Sequence, residues 1–370
     1  MFKNCSIDRD SLRSHNTCHH CTWRVRELHT AAKIIACVTG ATGLIGSALV
    51  RRLSEMGAEV RALVHSPEKS RDLAERGVRI VYGDVGSGAG IAEAVFDANV
   101  VFHLAAKVNS SAPLADFLET NVHGTERVLE ATAASASVRQ VIYASSIAVY
   151  GRIAIGERID ESTPVDHSPE KRDAYSHSKI LAEQAVAKFA HGNVCPVTIV
   201  RPGIVYGAAH PPPAALVGFR AGRTHFVFGQ PQWHVPLTYV ENVVDALARF
   251  AEQPFSEGLR DYNIVDDDLL TLSAYHLVRN EVERSRTVFI SPAPVLASAA
   301  IFGPIARAIT SAASGFSTYQ FERSFQDRPY DTSKIRRDLG WSPRTSLRAA
   351  LQASLPATSK SLRGNPYSPK

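Results

Sequence analysis

The feature that most limits what this chain can fold into is a set of three glycines between two segments of opposite character. Ile34-Ile35-Ala36-Cys37-Val38-Thr39 is a short apolar run rich in β-branched residues, the pattern of a strand buried on both faces. It leads directly into Gly40-Ala41-Thr42-Gly43-Leu44-Ile45-Gly46, after which Leu44, Ile45, Ala48, Leu49 and Leu53 recur at the spacing of one helical face. Strand, glycine turn and helix in that order form a phosphate cradle. The glycines allow a tight turn and a close approach of backbone to pyrophosphate, while the helix start offers unpaired N–H groups and the positive end of its dipole. Gly40, Thr42, Gly43, Leu44, Ile45 and Gly46 are therefore candidates for holding a dinucleotide.

Further apolar runs extend the pattern. Glu59–Val64 reads as a second strand that ends at His65, where an NAD-preferring site would usually place an acid for the ribose 2′-OH. No carboxylate stands there, and His65, Lys69 and Arg71 offer donors or charge to a 2′-phosphate, so NADP(H) is favoured mildly over NAD(H). Arg79–Val85 reads as a third strand, ending in Asp84. Asn99–Ala106 reads as a fourth, closing on Leu104, Ala105 and Ala106, and small residues at a strand's carboxyl end leave room for a ligand across the sheet.

A fifth strand, Gln140–Ser146, delivers two hydroxyls to the same sheet edge, and about thirty residues later Tyr175 and Lys179 open a long amphipathic helix. At i and i+4 they share one face. A free phenol titrates near 10, and a neighbouring ammonium lowers that value toward the range in which a phenol can act as acid or base at neutral pH.

The glycine spacing, the serine-bearing strand with Val149-Tyr150-Gly151 behind it, and the Tyr175/Lys179 pair resemble the extended short-chain dehydrogenase/reductases of the NAD-dependent epimerase/dehydratase superfamily. Asn121-Val122-His123-Gly124-Thr125, the Val197–Gly207 segment and Tyr330–Pro343 resemble further segments of that family, and the resemblance covers roughly residues 34–355. It implies a doubly wound parallel α/β sheet (Rossmann) with a smaller C-terminal substrate lobe. In that frame Tyr175 is the acid/base, Lys179 its pKa modifier and a ligand of the nicotinamide ribose, and Ser146 the group that orients the carbonyl, with Ser145 as the alternative. Asp84 and Val85 are carried over as adenine contacts. The implied division is 34–206 with 240–262 for the dinucleotide, and 207–239 with 263–355 for the lobe.

Departures from the family pattern narrow the reaction. Ile147 and Ala148 replace the acidic pair of the sugar-nucleotide dehydratases, so dehydration is not expected. Val235 falls where epimerases place an arginine for a diphosphate, and Pro236-Leu237-Thr238-Tyr239-Val240-Glu241-Asn242-Val243-Val244 looks like the 3β-hydroxysteroid dehydrogenase branch. The expected activity is interconversion of an alcohol and a ketone or aldehyde on a small-molecule substrate, either apolar and hydroxysteroid-like or a small carbonyl compound. Epimerisation through a transient keto intermediate and a cofactor-sensing binding module are the alternatives. The mostly apolar stretch Val288–Phe321 is read as helices closing the lobe; a membrane contact is left open but disfavoured, and so is a homodimer left open.

Net charge argues against nucleic acid. Of 370 residues, 41 are Lys or Arg and 36 Asp or Glu, but residues 1–33 and 356–370 each carry a surplus of three positive charges, leaving the body at −1. A near-neutral body has no basic stripe for a phosphate backbone. The first 33 residues lack an apolar secretory core and read as a disordered extension, and the last 15 as a basic tail. An odd count of five cysteines suggests reduced thiols in a cytoplasmic setting. Cys18-His19-His20-Cys21 lacks a second ligand pair, so no metal is expected.

Overall fold

Strands that are apolar on both faces must lie inside a sheet covered by helices on each side. The computed structural model describes residues 33–108, 112–154, 156–192, 194–213, 218–253, 258–266, 270–291 and 326–355. In chain order the elements are β1 (Ile35–Thr39), α1 (Leu44–Glu55), β2 (Glu59–Val64), α2 (Arg71–Glu75), β3 (Arg79–Tyr82), α3 (Ile91–Val95), β4 (Val100–His103), α4 (Leu114–Phe117), α5 (Gly124–Ala133), β5 (Gln140–Ala144) and α6 (Ala174–His191). There follow β6 (Val197–Pro202), β7 (Ile204–Tyr206), β8 (Gly218–Ala221), β9 (Thr224–Phe228), β10 (Leu237–Tyr239), α7 (Val240–Glu252), β11 (Leu259–Ile264), α8 (Leu272–Glu283), β12 (Arg286–Ile290), α9 (Ser333–Leu339) and α10 (Leu347–Ser354).

Seven strands form one sheet in the order β11-β6-β5-β4-β1-β2-β3, all pairs parallel. This is the doubly wound order, in which the chain reverses direction across the sheet between β1 and β4 and a crevice opens at their carboxyl ends. On one face α1 and α7 pack with Phe102, Ile142, Tyr262 and Trp341. On the other, α3, α5 and α6 cover Val101, Val141, Tyr143 and Ile199.

Three runs read as strands to Val85, Ala106 and Ser146 end earlier, at Tyr82, His103 and Ala144. The fifth stops because Ser146 turns out to cap the short 3-10 turn Ile147–Val149, its Oγ accepting the Ala148 N–H at 3.1 Å. Beyond the main sheet, β7 pairs with β10, and β9 is flanked by β8 and β12 in a three-stranded sheet. Val227, Leu237, Leu272, Tyr275 and Leu351 form the core of this region. The stretch from Val288, read as helices, instead begins in strand β12, which holds Val288–Ile290; its residues from 292, the Cys18–Cys21 segment and the tail from 356 lie outside the described residues. Among the described residues no helix is long and apolar enough to cross a membrane.

Candidate active site

The glycine turn sits at the carboxyl end of β1, against the end of β4. Gly40 has φ +70, and a Cβ there would lie 2.7 Å from the Ala105 nitrogen; one on Gly46 would lie 2.0 Å from the Gly40 carbonyl oxygen. Both positions thus require glycine for close packing. Gly43 differs: a Cβ there would meet only the Gly40 oxygen, at 3.3 Å. It is the N-cap of α1, makes no side-chain cap, and is followed by no acid in the first turn, so the N–H groups at this helix start are left for an anion. Thr42 and Gly43 are exposed, Leu44 and Ile45 half-buried. These features fit a dinucleotide pyrophosphate.

Buried hydrogen bonds fix the floor of the crevice. Thr39 Oγ1 accepts from the Ala105 N–H at 3.2 Å and lies 2.7 Å from His103 Nδ1, and His103 Nε2 is 2.9 Å from Thr125 Oγ1. Because Thr125 donates to the Asn121 carbonyl at 2.6 Å, its oxygen is free to accept, so the imidazole carries its proton on Nε2 and accepts from Thr39 on Nδ1. Burial and the nearby Lys179 charge push His103 down to about 3, keeping it neutral. Leu104, Ala105 and Ala106 are half-buried at the crevice, while Val85 is buried beneath Gly124.

His65 is exposed at the end of β2, Lys69 is exposed on the turn beyond it and Arg71 is exposed at the start of α2. Asp84, just past the end of β3, lies against His65: its Oδ2 is 3.2 Å from His65 Nδ1, while its Oδ1 accepts the Ser87 N–H at 2.9 Å.

Ser146, Tyr175 and Lys179 come together at the carboxyl end of β5. Asp173 caps α6, accepting from Ser176 N at 2.9 Å and Oγ at 2.7 Å, which sets Tyr175 in the first turn and Lys179 in the next. The Ser146 hydroxyl lies beside the Tyr175 phenol. Burial raises the phenol above its ordinary value, Ser146 opposes that rise, and the Asp173 charge adds to it. Lys179 is buried, and its Nζ donates to the Ala144 carbonyl at 2.7 Å and stands 5.0 Å from the centre of the Tyr143 ring. Burial lowers it to about 8, against the pull of Glu183. The expected lowering of the phenol by this ammonium is therefore not the dominant effect on Tyr175 in this arrangement: burial is. Ser145 is buried with an unpartnered Oγ and its N–H bonded to Val200, and it is Ser146 that meets the phenol.

Several supports escaped the sequence reading. Asn121, in the π-helical turn Leu118–His123, accepts from Lys107 N at 2.7 Å and donates to Lys107 O at 3.0 Å and to Ser178 Oγ at 2.8 Å; Ser178 donates in turn to the Tyr175 carbonyl at 2.8 Å. Its place in the Asn-x-x-Gly-Thr segment was the available signal. Arg172 donates to the carbonyls of Ala148 at 2.5 Å and Tyr150 at 3.2 Å, and Arg328 to Gly151 at 2.8 Å, holding the loop that carries Ser146. One turn beyond Lys179, Glu183 is bound by both arms of Arg201 at 2.9 and 2.8 Å.

The sequence model of the NAD dependent epimerase/dehydratase family matches residues 36–264. A Stigmatella aurantiaca protein named 4-hydroxy-2-methyl-3-oxo-4-farnesyl-3,4-dihydroquinoline-1-oxide ketoreductase is 31% identical over 220 residues, 58% of this chain and 64% of its own length. The human sterol-4-alpha-carboxylate 3-dehydrogenase, decarboxylating, is 30% identical over 251 residues, 66% of this chain and 62% of its own. The chain thus spans just under two thirds of the length of these two relatives. The UDP-glucuronic acid 4-epimerase from Bacillus cereus, solved with NAD, superposes with a TM-score of 0.65 at 18% identity, over 87% of this chain and 97% of that one, a likeness of fold.

Proposed function

The chain belongs to the NAD dependent epimerase/dehydratase family, and from that premise we propose that it is an NAD(P)-dependent oxidoreductase that interconverts an alcohol and a ketone or aldehyde. The observation that carries the reading is the gathering of Ser146, Tyr175 and buried Lys179 at the carboxyl end of β5, with Tyr175 and Lys179 one turn apart on α6 and the uncapped start of α1 at the end of β1. In it, Ser146 orients the substrate oxygen and Tyr175 exchanges a proton with it. Burial keeps the phenol protonated at neutral pH, which suits donation to a carbonyl oxygen, the direction of reduction. The phenolate left behind is stabilised by the Ser146 hydroxyl and the Lys179 charge.

Residues 40–46 would hold the pyrophosphate, Val85 and Asp84 the adenine end, Leu104–Ala106 the crevice floor and Lys179 the nicotinamide ribose. The nicotinamide supplies or takes the hydride when bound. NADP(H) is favoured mildly over NAD(H) in this reading, since β2 ends without an acid and His65, Lys69 and Arg71 offer donors or charge to a 2′-phosphate, with Asp84 as the one carboxylate against His65. The substrate lobe is assigned to 207–239 and 263–355; among the described residues β8, β9, α8, β12 and α10 belong to it, whereas Ile264, α9 and Trp341 pack in the core of the main sheet. An apolar substrate class, of the kind named in the sterol and farnesyl-quinoline relatives, is the one favoured. Val235 is buried in the core of the lobe and offers nothing to a diphosphate, so the epimerase reading ranks second. Buried Cys37 and Cys195, with thiols pushed up to about 12 and about 11, suit a cytoplasmic enzyme.

The test is nicotinamide absorbance with a panel of apolar ketones and alcohols. Stoichiometric consumption of NADPH is expected, and Tyr175→Phe should lower kcat by roughly 100-fold or more while cofactor affinity stays within about threefold of the original. Interconversion of UDP-sugars without net change in the nicotinamide would overturn the reading in favour of epimerisation.

A further inference from the structure

The three-stranded sheet breaks the usual alternation of apolar inside and polar outside. Its inner positions, His225, Val227 and Phe289 among them, lie toward α8: His225 and Val227 are buried, His225 Nε2 is 2.9 Å from Glu283, and the Phe289 ring meets His276 edge-on. The opposite face should then be polar. It is apolar instead. Phe219 pairs across β8 and β9 with Phe226, and Phe226 across β9 and β12 with Val288, while Phe228 pairs with Ile290 one step along. Phe219 is 52% and Val288 42% exposed, and the Phe219 and Phe226 rings stack 4.9 Å apart. A contiguous exposed row of this kind marks an interaction surface.

One end of the same sheet is strongly basic. Arg223 lies in the β8–β9 turn, and Arg284 and Ser285 lead into Arg286, which opens β12 beside Thr224. Together they border a shallow depression of about 650 Å³. Arg286 shares the apolar face, its Nε donating to Thr224 Oγ1 at 2.8 Å. Among the described residues the Arg223 and Arg284 guanidinium groups have no carboxylate partner, and segments 218–229 and 284–291 contain four arginines and no acid.

We infer that this face is a docking surface for an anionic membrane: the Phe219–Phe226–Val288 row enters the boundary between headgroups and acyl chains, and the arginines bind lipid phosphates. Charge complementarity selects this occupant. A second copy would bring the same arginines face to face. The chain's own segment from 292 to 321, whose one charged residue is Arg307, offers them no anion.

The test is co-sedimentation of the full chain with vesicles of pure phosphatidylcholine and of equimolar phosphatidylcholine and phosphatidylglycerol, at low and high salt. Binding is expected to the anionic vesicles and to weaken with salt. Each arginine removed in the series Arg223→Gln, Arg284→Asn, Arg286→Gln should weaken partitioning about fivefold. Phe219→Ser with Val288→Ser should also lower it at least tenfold, with an unchanged thermal melting midpoint as the check on folding. Three results overturn the proposal: no binding of the original chain to anionic vesicles, binding unchanged in both sets of variants, or a dimer that the Phe219/Val288 variant dissolves.

Discussion

Lys179 shows how a single side chain can be costly to the fold and still be kept. Its ammonium is buried, takes only the Ala144 carbonyl at 2.7 Å and the Tyr143 hydroxyl at 3.5 Å as partners, and titrates near 8 rather than 10.5. A shift of that size corresponds to about 3 kcal/mol of destabilisation of the charged form. The folded value lies below the unfolded one, so between pH 8 and 10.5 the unfolded chain binds more protons and stability rises with pH; below 8 the cost is fully present. Two outcomes are expected. Activity that depends on the ammonium should fall as pH rises through about 8, read from a pH–rate profile of kcat. Lys179→Met should abolish turnover without lowering Tm, since the lost bond to Ala144 is offset by relief of the buried charge. A Tm several degrees lower would show that Lys179 is primarily structural.

At the scale of elements, the glycine turn separates packing from binding. Gly46→Ala would drive a Cβ to 2.0 Å from the Gly40 oxygen and force the turn apart, whereas Gly43→Ala meets only that oxygen at 3.3 Å and faces open space where the helix N–H groups emerge. The first substitution should cost roughly 2 kcal/mol or more of stability. The second should leave Tm within about two degrees, since a change below 0.5 kcal/mol moves it little, yet weaken NADPH binding at least about tenfold by calorimetry, through loss of close backbone approach. What was legible from the amino-acid order follows the same division. The turn, the strands around it and the Tyr175/Lys179 pair are local patterns, set by spacing of neighbours along the chain. Asn121 on Lys107, Arg172 on Ala148 and Asp84 on His65 are contacts between segments, and side chain to backbone bonds of that kind leave no periodic trace. The early ends of β4 and β5 have the same origin, because whether Ser146 continues a strand or caps a turn depends on the N–H of Ala148 and not on apolar character.

Across the whole molecule, two neutral histidines tie stability to pH from separate places. His103 lies under the crevice between Thr39 and Thr125, and His276 lies in the lobe, its Nδ1 3.0 Å from Thr287 Oγ1 and its ring against His225, Tyr275 and Phe289. Burial is the largest cause in both cases and pushes them to about 3 and about 4 from 6.5; Lys179 adds to the first, and Arg279 and His225 to the second. A base whose folded value is depressed is protonated first in the unfolded chain. Stability is thus fully present above 6.5 and is lost as pH falls below it, by about 3 kcal/mol for each histidine at pH 4. Glu283 works the same way lower down: His225 and Arg279 hold it at about 2, so its contribution is complete above 4.5 and disappears as pH falls toward 2. Urea midpoints measured from pH 7 to 4 should therefore decline, with His103→Gln flattening the dependence of the main sheet and His276→Gln that of the lobe. If the midpoint were level down to pH 4, the two imidazoles would have to be charged in the native protein, and Thr39 would then face a donor on Nδ1 where the bond to Ala105 leaves it no second acceptor position as well placed.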